Sequence, residues 1–172
     1  TQDYEGLFNA IIETRAIDGL LLIDFDLNDE QKAMLWQQNI PFVGLNHLAA
    51  PDWLCIGANN ILGGLLATQH LIELGHERIA YVGNERIDSD GFSTSNERFM
   101  GYQQALEEAG IPILAEYAQF GGKGFKPAHL MTRQLLRLPQ PPTAIFAMSD
   151  TQALGCVAAA REMGLRVGQD LS

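Results

Sequence analysis

The chain has 172 residues, 47% of them hydrophobic, enough to bury a sizeable core as one domain or two small lobes. Acidic residues outnumber basic ones, 21 against 11, for a formal net charge of -10. This polypeptide by itself repels a phosphate backbone, so any DNA contact has to come from a segment outside it. No apolar run approaches the roughly 20 residues that span a bilayer, and the opening Thr1-Gln2-Asp3-Tyr4-Glu5 lacks the basic-then-apolar order of a secretion signal. Cys55 and Cys156 each sit in an apolar stretch with no CxxC or Cys/His spacing around them and read as buried free thiols, which points the same way, to the cytoplasm.

The chain opens on a helical stripe, with Tyr4, Leu7, Phe8 and Ile11 at i, i+3, i+4 and i+7. Strands are predicted over 19–23, 42–45 and 54–57, with a helix between the first two. A helix follows and stops at Gly75, and the next strand covers 78–82. A second stripe, Phe99, Tyr102, Leu106 and Ala109, closes at Gly110. Then come a strand over 117–120, a helix, the loop Pro139-Gln140-Pro141-Pro142 and a strand over 143–148. A compact stripe of Ala153, Leu154, Val157 and Ala158 closes at Gly164. Glycine at these ends accepts the left-handed conformation that finishes a helix.

Short branched apolar runs alternating with amphipathic helices specify an α/β fold with doubly wound parallel sheets, with 143–148 as the central buried strand and 78–82 near it. Residues 1–57 supply three strands and two helices, too little to cover both faces of a sheet. The chain opens inside a helix and closes on Gly168-Gln169-Asp170-Leu171-Ser172, a loop that ordinarily feeds another strand. It therefore reads as cut short at both ends and is expected to be less stable than an intact two-lobe domain.

Nothing in the motifs demands catalysis, a cofactor or a metal, and a non-enzyme is expected. Gly121-Gly122-Lys123-Gly124 follows a strand and precedes a helix but fits neither GxxxxGK[ST] nor GxGxxG, and reads as a flexible loop. His70 and His76 are separated by a helix end, which rules out the i, i+4 metal arrangement, and Ser93-Thr94-Ser95 has no GxSxG elbow. Ligands of open parallel sheets bind beyond the carboxyl ends of the strands. The residues there are polar: Asp24, Asn46, the loop 88–96, and Ser149 with Asp150. Each alone is equally a helix cap or turn residue; four such ends together make a site.

The text ILGGLLATQHLIELGHERIAYVG at 61–83, a helix, LGH and a strand ending in glycine, resembles the lactose-repressor (LacI) family. IDGLLLI at 17–23, NERFMGYQQALEEAGI at 96–111 and PTAIFAMSDTQALGCVAAAREMGLRV at 142–167 follow in that family's order. The resemblance implies the effector-binding part of a transcription regulator, in the two-lobed type I architecture of periplasmic sugar-binding proteins, incomplete here and without the helix-turn-helix. It divides the chain into a partial N-terminal lobe, 1–57, and most of a C-terminal lobe, 58–172. It also implies a homodimer, because two-fold operators need paired half-sites. The alternative is a periplasmic sugar-binding protein of a transport system.

Carried over position by position, the resemblance makes Arg98, three residues before the glycine of RxxGY, the chief effector ligand; otherwise it is a surface helix charge. Thr94 and Phe92 fall on cleft-lining positions, Phe125 on the aromatic of a glycine-aromatic loop, Ser149 on the polar residue before the last helix, and Asn46 on the end of a strand. Asn46 and Asn59 stand where many relatives carry aspartate. One guanidinium, several hydroxyl and amide groups and one or two rings suit a small polyhydroxylated effector, a sugar or sugar phosphate first and a purine second.

Overall fold

The computed structural model describes residues 2–14, 16–23, 27–45, 53–84 and 94–172. They form two compact units, Thr1–Ala58 and Asn59–Ser172, each built on a three-stranded parallel sheet.

The first unit runs α1 (Gln2–Glu13), β1 (Leu20–Ile23), α2 (Asp29–Gln37), β2 (Phe42–Leu45) and β3 (Cys55–Ile56), with strand order β1-β2-β3. Leu22 is buried while Leu21 and Ile23 are exposed, the period-two alternation of a sheet with one packed face. That face meets Phe8 and Ile12 of α1 and Leu35 of α2. The α1 stripe is therefore turned from the one expected: Leu7 is exposed and Ile12 is buried in its place. A capping box opens α2, with Gln31 N donating to Asn28 Oδ1 at 2.8 Å and Asn28 N to Gln31 Oε1 at 3.0 Å. Cys55 is half-buried, not fully buried as the sequence suggested.

The second unit contains α3 (Asn60–Glu73), β4 (Ile79–Asn84), α4 (Thr94–Glu108), a short 3-10 turn (Ala115–Tyr117), β5 (Ala118–Gly121), α5 (Phe125–Leu135), β6 (Ala144–Ala147) and α6 (Asp150–Glu162). Successive side chains of β4 point to opposite faces. Ile79 and Tyr81 pack with Phe99, Tyr102 and Leu106 of α4, whereas Ala80 and Val82 pack with Ala128, Met131 and Leu135 of α5 and Cys156 of α6. The result is a doubly wound layer, α3 and α4 on one side, α5 and α6 on the other.

Two expectations need correction. The order is β5-β4-β6, so the central strand is β4 and not 143–148. Both stretches are equally apolar, and only edge pairing tells them apart: the outer edge of β6 carries just Ser172, whose carbonyl accepts from Ile145 N at 2.8 Å and whose amide donates to Thr143 O at 3.1 Å. The turn delivering Ser172 is closed by Arg166, which grips Asp170 through Nε at 2.7 Å and Nη2 at 2.8 Å. The second correction concerns α6, which buries Gln152, Gly155, Cys156, Ala159 and Ala160 and leaves Leu154 exposed. A face of small residues wins because it lets α6 press on α5: a Cβ on Gly155 would run into the Phe125 carbonyl.

The closest approach is between α3 and α4. A Cβ on Gly64 would overlap the Arg98 carbonyl, and one on Gly101 the Ile61 carbonyl and the Leu65 amide. Gly63 next door faces nothing within 4 Å. Gly64→Ala is expected to cost about 1 to 3 kcal/mol of unfolding free energy by overpacking, whereas Gly63→Ala gains up to about 1 kcal/mol of helix propensity. Urea denaturation of the two variants reads the contrast, and equal effects would contradict the packing.

Candidate ligand site at the strand ends

The carboxyl ends of β4 and β6 lie side by side, and the first turns of α4 and α6 open directly above them. Asn84 ends β4: its amide donates to Ser95 Oγ at 3.1 Å, and its side-chain oxygen accepts from Gln152 Nε2 at 3.1 Å. Ser149 caps α6, its hydroxyl accepting from Gln152 N at 3.3 Å. Gln152 is fully buried at the third position of that helix, and its Oε1 has no hydrogen-bond partner among the described residues.

Arg98 reaches into this cluster from α4. Its Nε donates to Asn60 Oδ1 at 3.1 Å, and Nη1 donates to the Met148 carbonyl at the end of β6. Both acceptors are neutral, so they orient the guanidinium without cancelling its charge. Nη2 has no partner among the described residues. Behind Arg98, Asn60 Nδ2 donates to Glu97 Oε2 at 2.9 Å, and both residues are buried. Directed bonding of this kind separates the half-buried Arg98 from an ordinary solvated helix charge.

Thr94 is the first residue of α4 and half-buried beside Ser95. Asp150 begins α6, but its carboxylate turns back to accept from Thr151 N at 2.8 Å and is exposed. Phe125 begins α5, largely exposed and stacked on His129 at a centroid distance of 6.2 Å. The described contacts tie Phe125 to α6 through Gly155 and do not join it to Arg98. The structure thus brings Arg98, Thr94 and Ser149 to neighbouring strand and helix ends, while Asp24, Asn46 and Phe92 lie outside the described residues. Asn59 is accounted for as the cap of α3, accepting from Leu62 N at 2.9 Å. Asn60, Glu97, Asn84 and Gln152 escaped sequence reading. Glu97 adjoins Arg98, but nothing in the text marks it as buried.

Other features carry less chemistry. Gly124 takes φ +93 at the start of α5, and no anion-cradling pattern accompanies it. Among the described residues no group of three His, Cys, Asp or Glu side chains forms a metal site, and no helix is long and apolar enough to cross a membrane. Burial pushes the Cys156 thiol up, which keeps it protonated and unreactive. A cavity of about 400 Å³ lies between α3, β6 and α6, lined by Leu71, Ile145, Val157 and Leu171. Its walls are largely apolar and offer few groups to direct ligand hydroxyls.

Residues 68–172 match the periplasmic binding protein-like domain. The chain belongs to that family. The HTH-type transcriptional repressor CytR of Escherichia coli K12 is 34% identical over 174 residues, covering 98% of this chain and 48% of the repressor. The HTH-type transcriptional repressor PurR of Actinobacillus pleuropneumoniae is 35% identical over 159 residues, covering 92% and 46%. A regulatory protein of the LacI family from Chloroflexus aggregans superposes with a TM-score of 0.82 at 33% identity, over 97% of this chain and 59% of that one. The transcriptional regulator CelR, in complex with cellobiose, superposes with a TM-score of 0.79 at 31% identity, over 98% and 51%. The lactose-repressor resemblance is borne out, and these relatives are transcription regulators, not enzymes. The periplasmic binding protein-like chain spans about half the length of the curated relatives it matches.

The wall behind Arg98 is tyrosine-rich. Tyr81 OH donates to the Ser95 carbonyl at 2.8 Å, and burial pushes its phenol up to about 12, against smaller downward pulls from the Ser95 side chain and from Arg98. Tyr102 is raised further, also by burial. A phenol raised in the fold stabilises it fully below the unfolded value near 10, and the contribution is lost as pH climbs through the folded value. Stability is expected to fall between pH 10 and 12 by up to about 1.4 kcal/mol per pH unit for each buried tyrosine. Tyr81→Phe should flatten that fall in urea titrations at pH 9 to 12; an unchanged slope would contradict its burial as a neutral phenol.

Proposed function

We propose that this chain is the effector-sensing part of a LacI-family transcription regulator, and that the effector is a sugar or sugar phosphate gripped by Arg98. The observation that carries the reading is the guanidinium held by two neutral acceptors with Nη2 left over, a cation oriented but not yet neutralised. Thr94 and Ser149 supply hydroxyl groups beside it. Phe125 offers a ring face for a sugar, and Asp150, Asp24, Asn46 and Phe92 complete the expected set. The cellobiose complex of CelR supports a sugar as the ligand class, and the repressor relatives support regulation over transport. In the full-length protein, effector binding shifts operator affinity through a DNA-binding segment carried outside these residues, a coupling typically of about 1 to 3 kcal/mol. The net charge of -10 fits that division of labour.

Titration calorimetry of the full-length protein against cellobiose, pentoses, hexoses and their phosphates tests this. Wild type is expected to bind at least one of them. Arg98→Ala should weaken that binding by about 2 to 5 kcal/mol, roughly thirtyfold or more, with its thermal midpoint little changed. Equal binding by the variant removes Arg98 from the site. Paired operator half-sites further require the full-length protein to sediment as a dimer at micromolar concentration, and a monomer there would count against the regulatory reading.

A further inference from the structure

We propose that Glu97 is a positioning residue that acts through Asn60 to set the direction of the Arg98 guanidinium; the inference rests on Arg98 being the ligand-gripping cation. An asparagine side chain has one donating and one accepting end. The Glu97 carboxylate accepts, so Asn60 turns Nδ2 toward it, at 2.9 Å, and this leaves Oδ1 facing Arg98 Nε, at 3.1 Å. Reversing the amide would set oxygen against carboxylate and NH2 against guanidinium, both repulsive. Glu97 is 2% exposed and Asn60 8%, so little water is present to relieve a wrong orientation.

Glu97 and Arg98 are consecutive on α4 and point about 100° apart around the helix. Asn60, the first residue of α3, bridges them from the facing helix. The close approach of the two backbones at Gly64 and Gly101 holds it there. The consequence for recognition is specific. With Nε committed to Asn60 and one Nη1 donor to the Met148 carbonyl, the paired donors Nε and Nη2 cannot both grip a ligand, and a ligand oxygen is met by Nη2.

Phenylglyoxal labelling of Arg98 in the ligand-free full-length protein, followed by peptide mass spectrometry, reads the position of the guanidinium directly. Arg78, Arg133 and Arg161 serve as internal references. Glu97→Leu is expected to raise the Arg98 rate roughly tenfold or more, the weight of one lost hydrogen bond to a charged group. Glu97→Gln, whose Oε1 can still accept from Asn60, should stay within about twofold of wild type, since the bond to Nδ2 survives. In an Asn60→Ala background, Glu97→Leu should add nothing, an outcome that a merely structural role for the carboxylate does not predict. Unchanged labelling in Glu97→Leu, or additive effects with Asn60→Ala, overturns the proposal. Should Glu97→Leu fail to fold, Glu97→Ala takes its place and has to raise Arg98 labelling in the same way, alone and not in the Asn60→Ala background. No sugar is present, so failure here removes the positioning role and leaves the sugar reading intact, whereas a full-length protein that binds no sugar does the reverse.

Discussion

Where α3 crosses α4, Gly64 faces the Arg98 carbonyl and Gly101 faces the Ile61 carbonyl, so the two helices meet backbone to backbone. The polar arrangement at the strand ends depends on that approach. Asn60 lies one turn before Gly64, and Arg98 lies just short of a turn before Gly101. Closing the gap between the glycines therefore brings the asparagine against the arginine. A methyl group at either glycine would wedge the helices apart, and hydrogen bonds near 3 Å do not survive such a displacement. Close packing and polar geometry here are a single constraint seen from two ends.

The electrostatics follow from what that constraint allows. Met148 and Asn60 offer Arg98 carbonyl-type oxygens, and the Glu97 carboxylate is kept one amide away. A direct ion pair would have neutralised the cation and locked it; neutral acceptors hold its direction and leave its charge available. The same unit also contains the apolar cavity of about 400 Å³ beside β6. Its walls suit an apolar ligand, and hydroxyl chemistry favours the strand ends. For a polyhydroxylated effector the second outweighs the first, because every buried hydroxyl left without a partner costs about 1 to 3 kcal/mol.

Much of this was legible along the chain. Alternation of branched apolar runs with amphipathic stripes specified parallel α/β layers, and Gly75, Gly110 and Gly164 all take the positive φ expected after a helix. Arg98 could be singled out through the RFMGY stretch and its place after a strand. Side chains facing a layer repeat with the period of the element, so the alternation is written locally. The α6 stripe misled because Leu154 is the more hydrophobic choice, whereas the buried face was selected by size: Gly155 and Ala159 fit against α5 where leucine does not.

What the sequence by itself determined was the class of fold and the helix ends, because each is encoded in a short span by periodicity or backbone permissiveness. Tertiary structure alone decided that β4 and not β6 is central, that Asn60 and Glu97 stand behind Arg98, and that Gln152 joins Asn84. These relations link residues far apart in the chain, Asn60 with Arg98 and Asn84 with Gln152. They depend on which strand edges pair and how closely two helices approach. Neither quantity is carried by any one segment, since both are set by the balance of packing across the whole layer.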